Sequence, residues 1–252
     1  MTPTFDGLLA EGEAVPTEGW DFSWFEGRAT EERPPWGYAR LMGARMATGS
    51  AGLDIQTGGG EVLASMPQAP PVLVATEGWP PNLTVAQANL RSVGGHVVQA
   101  AEFGGLPLRS ETFDVVVSRH PVSAPWPEIG RVLRAGGTYL SQEIGPGSNR
   151  ELTDFMMGPQ PVSQSRTPAR AAEEARAAGL TVVDLREASL RVEFFDLAAV
   201  VYFLRKVIWT VPDFSVERYR DRLAAMYEHI ARHGSFVAHA QRFLIEAVKP
   251  AR

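Results

Sequence analysis

From Ala51 onward the chain alternates short apolar runs with stretches of helical period. Ala51–Gln56, Pro71–Glu77, His96–Ala101, Phe113–Ser118 and Thr138–Glu143 carry clustered Val, Leu, Ile, Ala or Phe between polar, glycine and proline punctuation. That pattern predicts strands buried on both faces of a sheet. Between them, Glu61–Met66, Asn82–Val93 and Trp126–Arg134 predict helices, with Pro127 in a first turn and Gly136-Gly137 as a stop signal. Strand-helix-strand repetition implies parallel strands with right-handed crossovers, a doubly wound α/β fold.

The second half repeats this theme once and then departs from it. Thr167-Pro168 reads as a cap and a preorganised first turn for a helix running to Gly179, and Leu180–Leu185 as the next strand. Two helices then follow in succession. The stretch from Phe194 to about Ile208 is apolar on nearly every face. Ser215–Arg232 sets Val216, Tyr219, Leu223, Met226, Tyr227 and Ile230 at steps of three and four. Phe236–Val248 predicts a last strand. The expected organisation is an aromatic arm over residues 1–50, containing a helix from Trp36 to Met46, and one domain over 51–252. The two late helices form a cap over about 194–232.

Composition narrows the function classes. The hydrophobic share of 44% over 252 residues suffices for a large core. A net charge of −5 argues against an extended nucleic-acid footprint. The absence of cysteine excludes disulfides, thiolate nucleophiles and Cys-ligated zinc. His229 and His233 stand four apart but lack the glutamate of a zinc helix, so no metal site is predicted. The most apolar stretch, Leu197–Leu204, is broken by Arg205 and Lys206, which predicts no membrane span. Met1–Ala14 contains Glu11 and Glu13 and lacks the pattern of a signal peptide. A cytoplasmic monomer or homodimer is the expectation.

The chemistry-bearing stretch is Leu53-Asp54-Ile55-Gln56-Thr57-Gly58-Gly59-Gly60-Glu61, where a strand turns through a glycine cluster into a helix. Ligands of open parallel sheets bind beyond the carboxyl ends of the strands, and glycines allow close backbone approach there. Glu77, at the end of the next strand, suits the two hydroxyls of a ribose. Together they point to a nucleoside-containing cofactor. Glu61 in the first helical turn opposes a bound pyrophosphate, and the glycine spacing fails the dinucleotide pattern. A cationic, phosphate-free nucleoside such as S-adenosylmethionine suits Asp54 better.

Four motifs in order carry a resemblance to the class I S-adenosylmethionine-dependent methyltransferases, in particular the type 11 enzymes acting on small molecules. Asp54, Gly58 and Gly60 match the family's acidic-x-Gly-x-Gly-x-Gly motif, with Gln56 in place of its first glycine. Ala101-Glu102-Phe103-Gly104-Gly105-Leu106-Pro107 is similar to its Asp-Ala-x-x-Leu-Pro segment. Phe113-Asp114-Val115-Val116 and Arg131-Val132-Leu133-Arg134-Ala135-Gly136-Gly137 are similar to its later strand and turn. The resemblance implies seven strands, the last antiparallel, and S-adenosylmethionine as cofactor with S-adenosylhomocysteine as product. Asp54, Gln56, Thr57, Gly58 and Gly60 would contact the cofactor, Glu77 its ribose, and Gly78, Trp79, Glu102 and Phe103 its adenine. Ser118 and Arg119 would complete the crevice, with Arg28 and Tyr38 reaching in from the arm. His120, just past the fourth predicted strand, is the candidate general base; packing or strand capping is its alternative role.

No Asn/Asp-Pro-Pro-Tyr/Phe segment of the kind that methylates exocyclic amines follows that strand. A small-molecule acceptor is therefore expected. Two other readings stay open at this point: a cofactor-binding protein that does no methylation or catalyses another reaction, and a nicotinamide-dependent oxidoreductase.

Overall fold

The computed structural model describes residues 4–17 and 22–251. Part of the expected arm, residues 1–3 and 18–21, lies outside them. The chain divides into two units. One comprises Pro34–Gly145, Gln164–Ala188 and Arg242–Arg252, here the sheet unit; the other comprises Met1–Arg33, Pro146–Ser163 and Ser189–Gln241. Residues 34–50, read from sequence as arm, belong to the sheet unit.

In chain order the elements are α1 (Phe5–Ala14), β1 (Ala29–Glu31), α2 (Tyr38–Met46), β2 (Ala51–Asp54), α3 (Glu61–Ala64), β3 (Val72–Glu77), α4 (Pro80–Leu90), β4 (His96–Gln99) and β5 (Phe113–Arg119). There follow α5 (Trp126–Val132), β6 (Leu133–Ile144), α6 (Arg150–Met157), α7 (Pro168–Ala177), β7 (Thr181–Phe194), α8 (Leu197–Lys206), α9 (Arg220–His233) and β8 (Phe236–Val248). The strands hydrogen-bond in the order β1-β7-β8-β6-β5-β2-β3-β4.

In the sheet unit β2 pairs in parallel with β3 and β5, β3 with β4, and β5 with β6. The β6 residues Thr138–Ile144 pair antiparallel with Val248–Arg242 of β8. The strand periodicity separates two cores. Leu53, Ile55, Val116 and Tyr139 pack with Trp126, Ile129 and Ala175 on one face, whereas Val115, Val117 and Leu140 pack with Met42, Leu63 and Leu90 on the other. Helices α5 and α7 therefore cover one face, and α2, α3 and α4 the other. Successive connections leave β2 in one direction and β5 in the other, so the topological switch point lies between β2 and β5.

Two sequence motifs prove to be braces. Asp114 Oδ2 accepts from Ser50 N at 2.9 Å, Ser50 Oγ at 2.7 Å and Ala51 N at 2.9 Å, locking β5 to the start of β2. Burial alone would raise its pKa; these bonds and Arg134 hold it below the usual value. Arg131 donates to Leu106 O and Leu108 O, and its partner Glu128 accepts from Leu106 N at 2.6 Å. The arginine-rich turn thus fixes the segment leading into β5.

The second unit contains α1, β1, α6, α8 and α9, with the later part of β7 and the earlier part of β8. Here the elements differ from expectation. The strand predicted to stop at Leu185 continues to Phe194, because Leu190, Val192 and Phe194 turn inward while Arg191 stays exposed. Alternation survives the charged interruption at Arg186-Glu187. Helix α8 consequently starts at Leu197 rather than Phe194, capped by Asp196, whose Oδ1 accepts from Ala199 N at 2.8 Å. Helices α1 and α6 and strand β1 were not anticipated. β1 is three residues long and pairs antiparallel with Val192–Phe194, which makes eight strands where seven were expected.

Candidate functional site

The carboxyl ends of β2, β3, β5 and β6 form two lips on either side of the switch point. On the β2–β3 lip the ordering element is Glu77, 7% exposed at the tip of β3. Its Oε1 accepts from Gly78 N at 2.9 Å and Trp79 N at 2.8 Å, and its Oε2 from Gly58 N at 2.8 Å. Thr57 N donates to Thr76 O at 2.9 Å, and Gln56 N to Thr76 Oγ1 at 3.3 Å. Backbone amides therefore stitch the turn after β2 to the end of β3.

The glycines of the turn divide their tasks. Gly60 has a φ of +76°, and a Cβ there would come within 3.2 Å of Leu90 Cγ, so it serves the packing of α3 on α4. A Cβ on Gly78 would approach Ala100 O at 3.0 Å, which brings the ends of β3 and β4 together beside Glu102. Trp79 and Phe103 are exposed on this rim, Phe103 by 69%.

Asp54 is buried at the end of β2. Its pKa is pushed up to about 7, chiefly by burial and further by the charge of Glu77, while Arg119 opposes the rise. Such an acid is poised to ionise when a cation arrives beside it.

The β5–β6 lip is built from side chains. Trp36 Nε1 donates to Gln142 Oε1 at 2.8 Å, and the Gln142 amide nitrogen lies 2.9 Å from His120 Nε2. Since the Gln142 oxygen is taken by the indole, its NH2 faces the imidazole and His120 Nε2 accepts. The ring proton therefore sits on Nδ1. Burial and the charges of Arg119, Arg242 and Arg166 drive the His120 pKa well below its usual value, so the ring is neutral near pH 7. His120 has a φ of +54°, and its N–H donates to Gln142 O at 2.7 Å. Next to it, Glu143 is raised to about 7 by burial, with Ser141 Oγ donating at 2.8 Å. Tyr38, buried and held protonated by that burial, donates to Ser118 O at 2.9 Å, and Ser118 Oγ donates to Ile55 O at 2.8 Å.

Of the expected site residues, Asp54, Gln56, Thr57, Gly58, Gly60, Glu77, Gly78, Trp79, Glu102, Phe103, Ser118, Arg119, His120 and Tyr38 lie in the sheet unit around these strand ends. Arg28 belongs to the other unit. There its guanidinium is engaged by Glu11 and by Asp196 at 3.2 Å, and it lies over the Trp24 ring. Sequence reasoning missed Gln142 and Arg166, neither of which stands in a motif. It also assigned Trp36 to an arm rather than to this lip.

The residues suit S-adenosylmethionine by donor chemistry. Glu77 Oε2 retains a lone pair for a ribose hydroxyl, Asp54 suits a cationic centre, and exposed Arg119 a carboxylate. Among the described residues no cluster of His, Asp or Glu is arranged to hold a metal ion, and no helix is long and apolar enough to cross a membrane.

Residues 53–141 match the family model of a methyltransferase domain. No curated protein matches the chain in sequence. Among solved structures, a methyltransferase candidate from Bacillus halodurans C-125 shares 19% identity at a TM-score of 0.61, over 85% of this chain and 99% of that one. A 4+2 cyclase shares 19% identity at a TM-score of 0.52, over 85% and 80% of the two chains. Geranyl diphosphate methyltransferase, solved with S-adenosylmethionine, shares 11% identity at a TM-score of 0.50, over 84% of each chain. These likenesses establish a common fold. Residues 53–141 thus match a methyltransferase-domain model, on a fold shared with these structures.

Proposed function

We propose that the chain methylates a small-molecule acceptor, with the cofactor over the ends of β2 and β3 and the acceptor in front of β5 and β6. The observation that carries this reading is the Glu77 carboxylate, preoriented by three backbone N–H groups at the switch-point crevice. When bound, S-adenosylmethionine supplies a methyl group already activated by its sulfonium. The chain's own residues then hold and orient. Glu77 accepts from the ribose, Gly78, Trp79, Glu102 and Phe103 border the adenine, and Asp54 and Arg119 bracket the charged amino-acid end. Proximity of this kind supplies several kcal/mol of rate enhancement without a chemical step by the protein.

On the acceptor side His120 is neutral, and its Nε2 gains capacity for a proton only when Gln142 releases it. Glu143, with a pKa of about 7, is a second proton acceptor on the same lip. A small acceptor is favoured by the net charge of −5 and by the missing Asn/Asp-Pro-Pro-Tyr/Phe segment. The geranyl diphosphate methyltransferase of like fold acts on a small molecule as well. Titration calorimetry with S-adenosylmethionine, followed by S-adenosylhomocysteine release on small-molecule and macromolecular panels, tests the proposal. Turnover with the macromolecular panel alone would overturn it.

A second reading is favoured by the engaged lone pair of His120 together with the cyclase of like fold: a reaction other than methylation, run with cofactor bound. Tight cofactor binding with substrate consumption and no S-adenosylhomocysteine would mark it.

A further inference from the structure

Gln56 occupies a position where its family's motif has glycine, and its backbone is left-handed, with a φ of 58°. A side chain with a Cβ is strained there, and such strain persists only when the surroundings over-determine it. Here the determinant is on the opposite lip. Gln56 Oε1 accepts from Val122 N at 2.7 Å, and Gln56 Nε2 donates to Ser123 O at 2.9 Å. The amide thus spans the switch point from the turn after β2 to the loop after β5, pairing with that loop much as a strand would.

The loop side of this bridge is held elsewhere too. Arg166 Nη2 donates to Pro121 O at 2.7 Å and also to Val122 O, and His120 N is bonded to Gln142 O. On the other side, the Gln56 and Thr57 amides are tied to Thr76. Both backbones are pinned, so the part free to move is the Gln56 side chain.

We propose that Gln56 is a side-chain latch across the crevice that sets which adenosine-containing ligands the site admits. A ligand that ends at its ribose reaches Glu77 and leaves the latch closed. One that carries a substituent from the ribose across toward the β5 loop must first break both amide bonds. The proposal rests on the cofactor reading above, and it assigns this chain a specificity determinant on its own residue 56. Releasing two neutral hydrogen bonds costs about 1–3 kcal/mol net, which corresponds to roughly a fivefold to 150-fold penalty on the larger ligand.

The test is a calorimetric comparison of adenosine and S-adenosylhomocysteine on the wild type, Gln56→Gly and Gln56→Glu. Glycine removes the latch and relieves the left-handed strain. Glutamate keeps an acceptor for Val122 N and loses the donor to Ser123 O. For Gln56→Gly, S-adenosylhomocysteine affinity should rise about tenfold or more while adenosine affinity stays within about twofold; Gln56→Glu should fall between. Binding of both ligands with an unchanged or reversed ratio overturns the latch and leaves the cofactor reading standing. No binding of either ligand to any of the three proteins overturns both.

Discussion

The two lips of the crevice are organised by different means. On the β2–β3 side one carboxylate gathers the backbone amides of Gly58, Gly78 and Trp79. On the β5–β6 side polar side chains bind one another, from Trp36 through Gln142 to His120 and from Ser141 to Glu143. The first arrangement depends on a carboxylate and turn geometry, so most neighbouring side chains can vary without disturbing it. The second depends on each partner's donor or acceptor sense. Removing Trp36 would leave the Gln142 amide free to turn over, and the state of His120 would change with it.

Both lips nevertheless hold a buried acid, and these give the largest expected effect. Asp54 and Glu143 are raised to about 7, from ordinary values of 3.8 and 4.5. Each is protonated in the folded protein and ionised in the unfolded chain between about pH 4 and 7. Their contribution to stability is complete below the unfolded values and is lost as pH rises through 7. Asp54→Asn should therefore gain on the wild type as pH rises, by an amount on the order of a few kcal/mol. Denaturant melts of both proteins from pH 4 to 8 measure the difference; a gap that does not change with pH would remove Asp54 as a titrating group. Because an arriving cation favours ionised Asp54, wild-type cofactor affinity should also show a pH dependence that the variant lacks.

The next effect isolates the β2–β3 lip. Glu77→Ala leaves three backbone donors without their acceptor and removes the proposed ribose partner. Cofactor affinity should fall at least tenfold, with a loss of stability of about 1–3 kcal/mol. Glu77→Gln keeps the shape and one acceptor oxygen and should lie between the two. Unchanged affinity in Glu77→Ala would falsify the ribose assignment.

The contrast between the lips also accounts for what could be read from the sequence. The doubly wound sheet was legible because strands buried on both faces repeat a short apolar signature, and Asp54 and Glu77 because they end two such strands. Gly58 and Gly60 follow from the spacing of one turn. The β5–β6 lip was not legible in the same way. Trp36 and Gln142 are 106 positions apart and belong to no motif, and Arg166 precedes its helix by two residues without any local sign that it faces Pro121. Contacts of long sequence separation leave no periodicity. The extension of β7 past Arg186 was missed for the opposite reason: a local charge pair obscured an alternation that resumes beyond it.

Trp36→Phe breaks the side-chain lip at its far end. The Gln142 oxygen loses its only described donor at a buried position, which costs about 1–2 kcal/mol in a thermal melt. The β2–β3 lip should be indifferent, with cofactor affinity within about twofold. A parallel drop in affinity would mean that the two lips are coupled.

The smallest free-energy change, and the sharpest on mechanism, concerns the bond between Gln142 and His120. A hydrogen bond donated to Nε2 stabilises the neutral ring and opposes its protonation, in the same direction as burial and the surrounding arginines. Gln142→Ala removes that one contribution, so the His120 pKa should move upward while staying below its ordinary value of 6.5. Ring chemical shifts followed against pH report this directly, without any substrate. If His120 is the base, turnover in the variant should acquire a limb at higher pH than the wild type, and His120→Ala should slow turnover at nearly constant cofactor affinity. If His120→Ala retains full activity while the Gln142→Ala shift is still observed, the ring is an anchor for the strand end, and Glu143 is left as the proton acceptor of this lip.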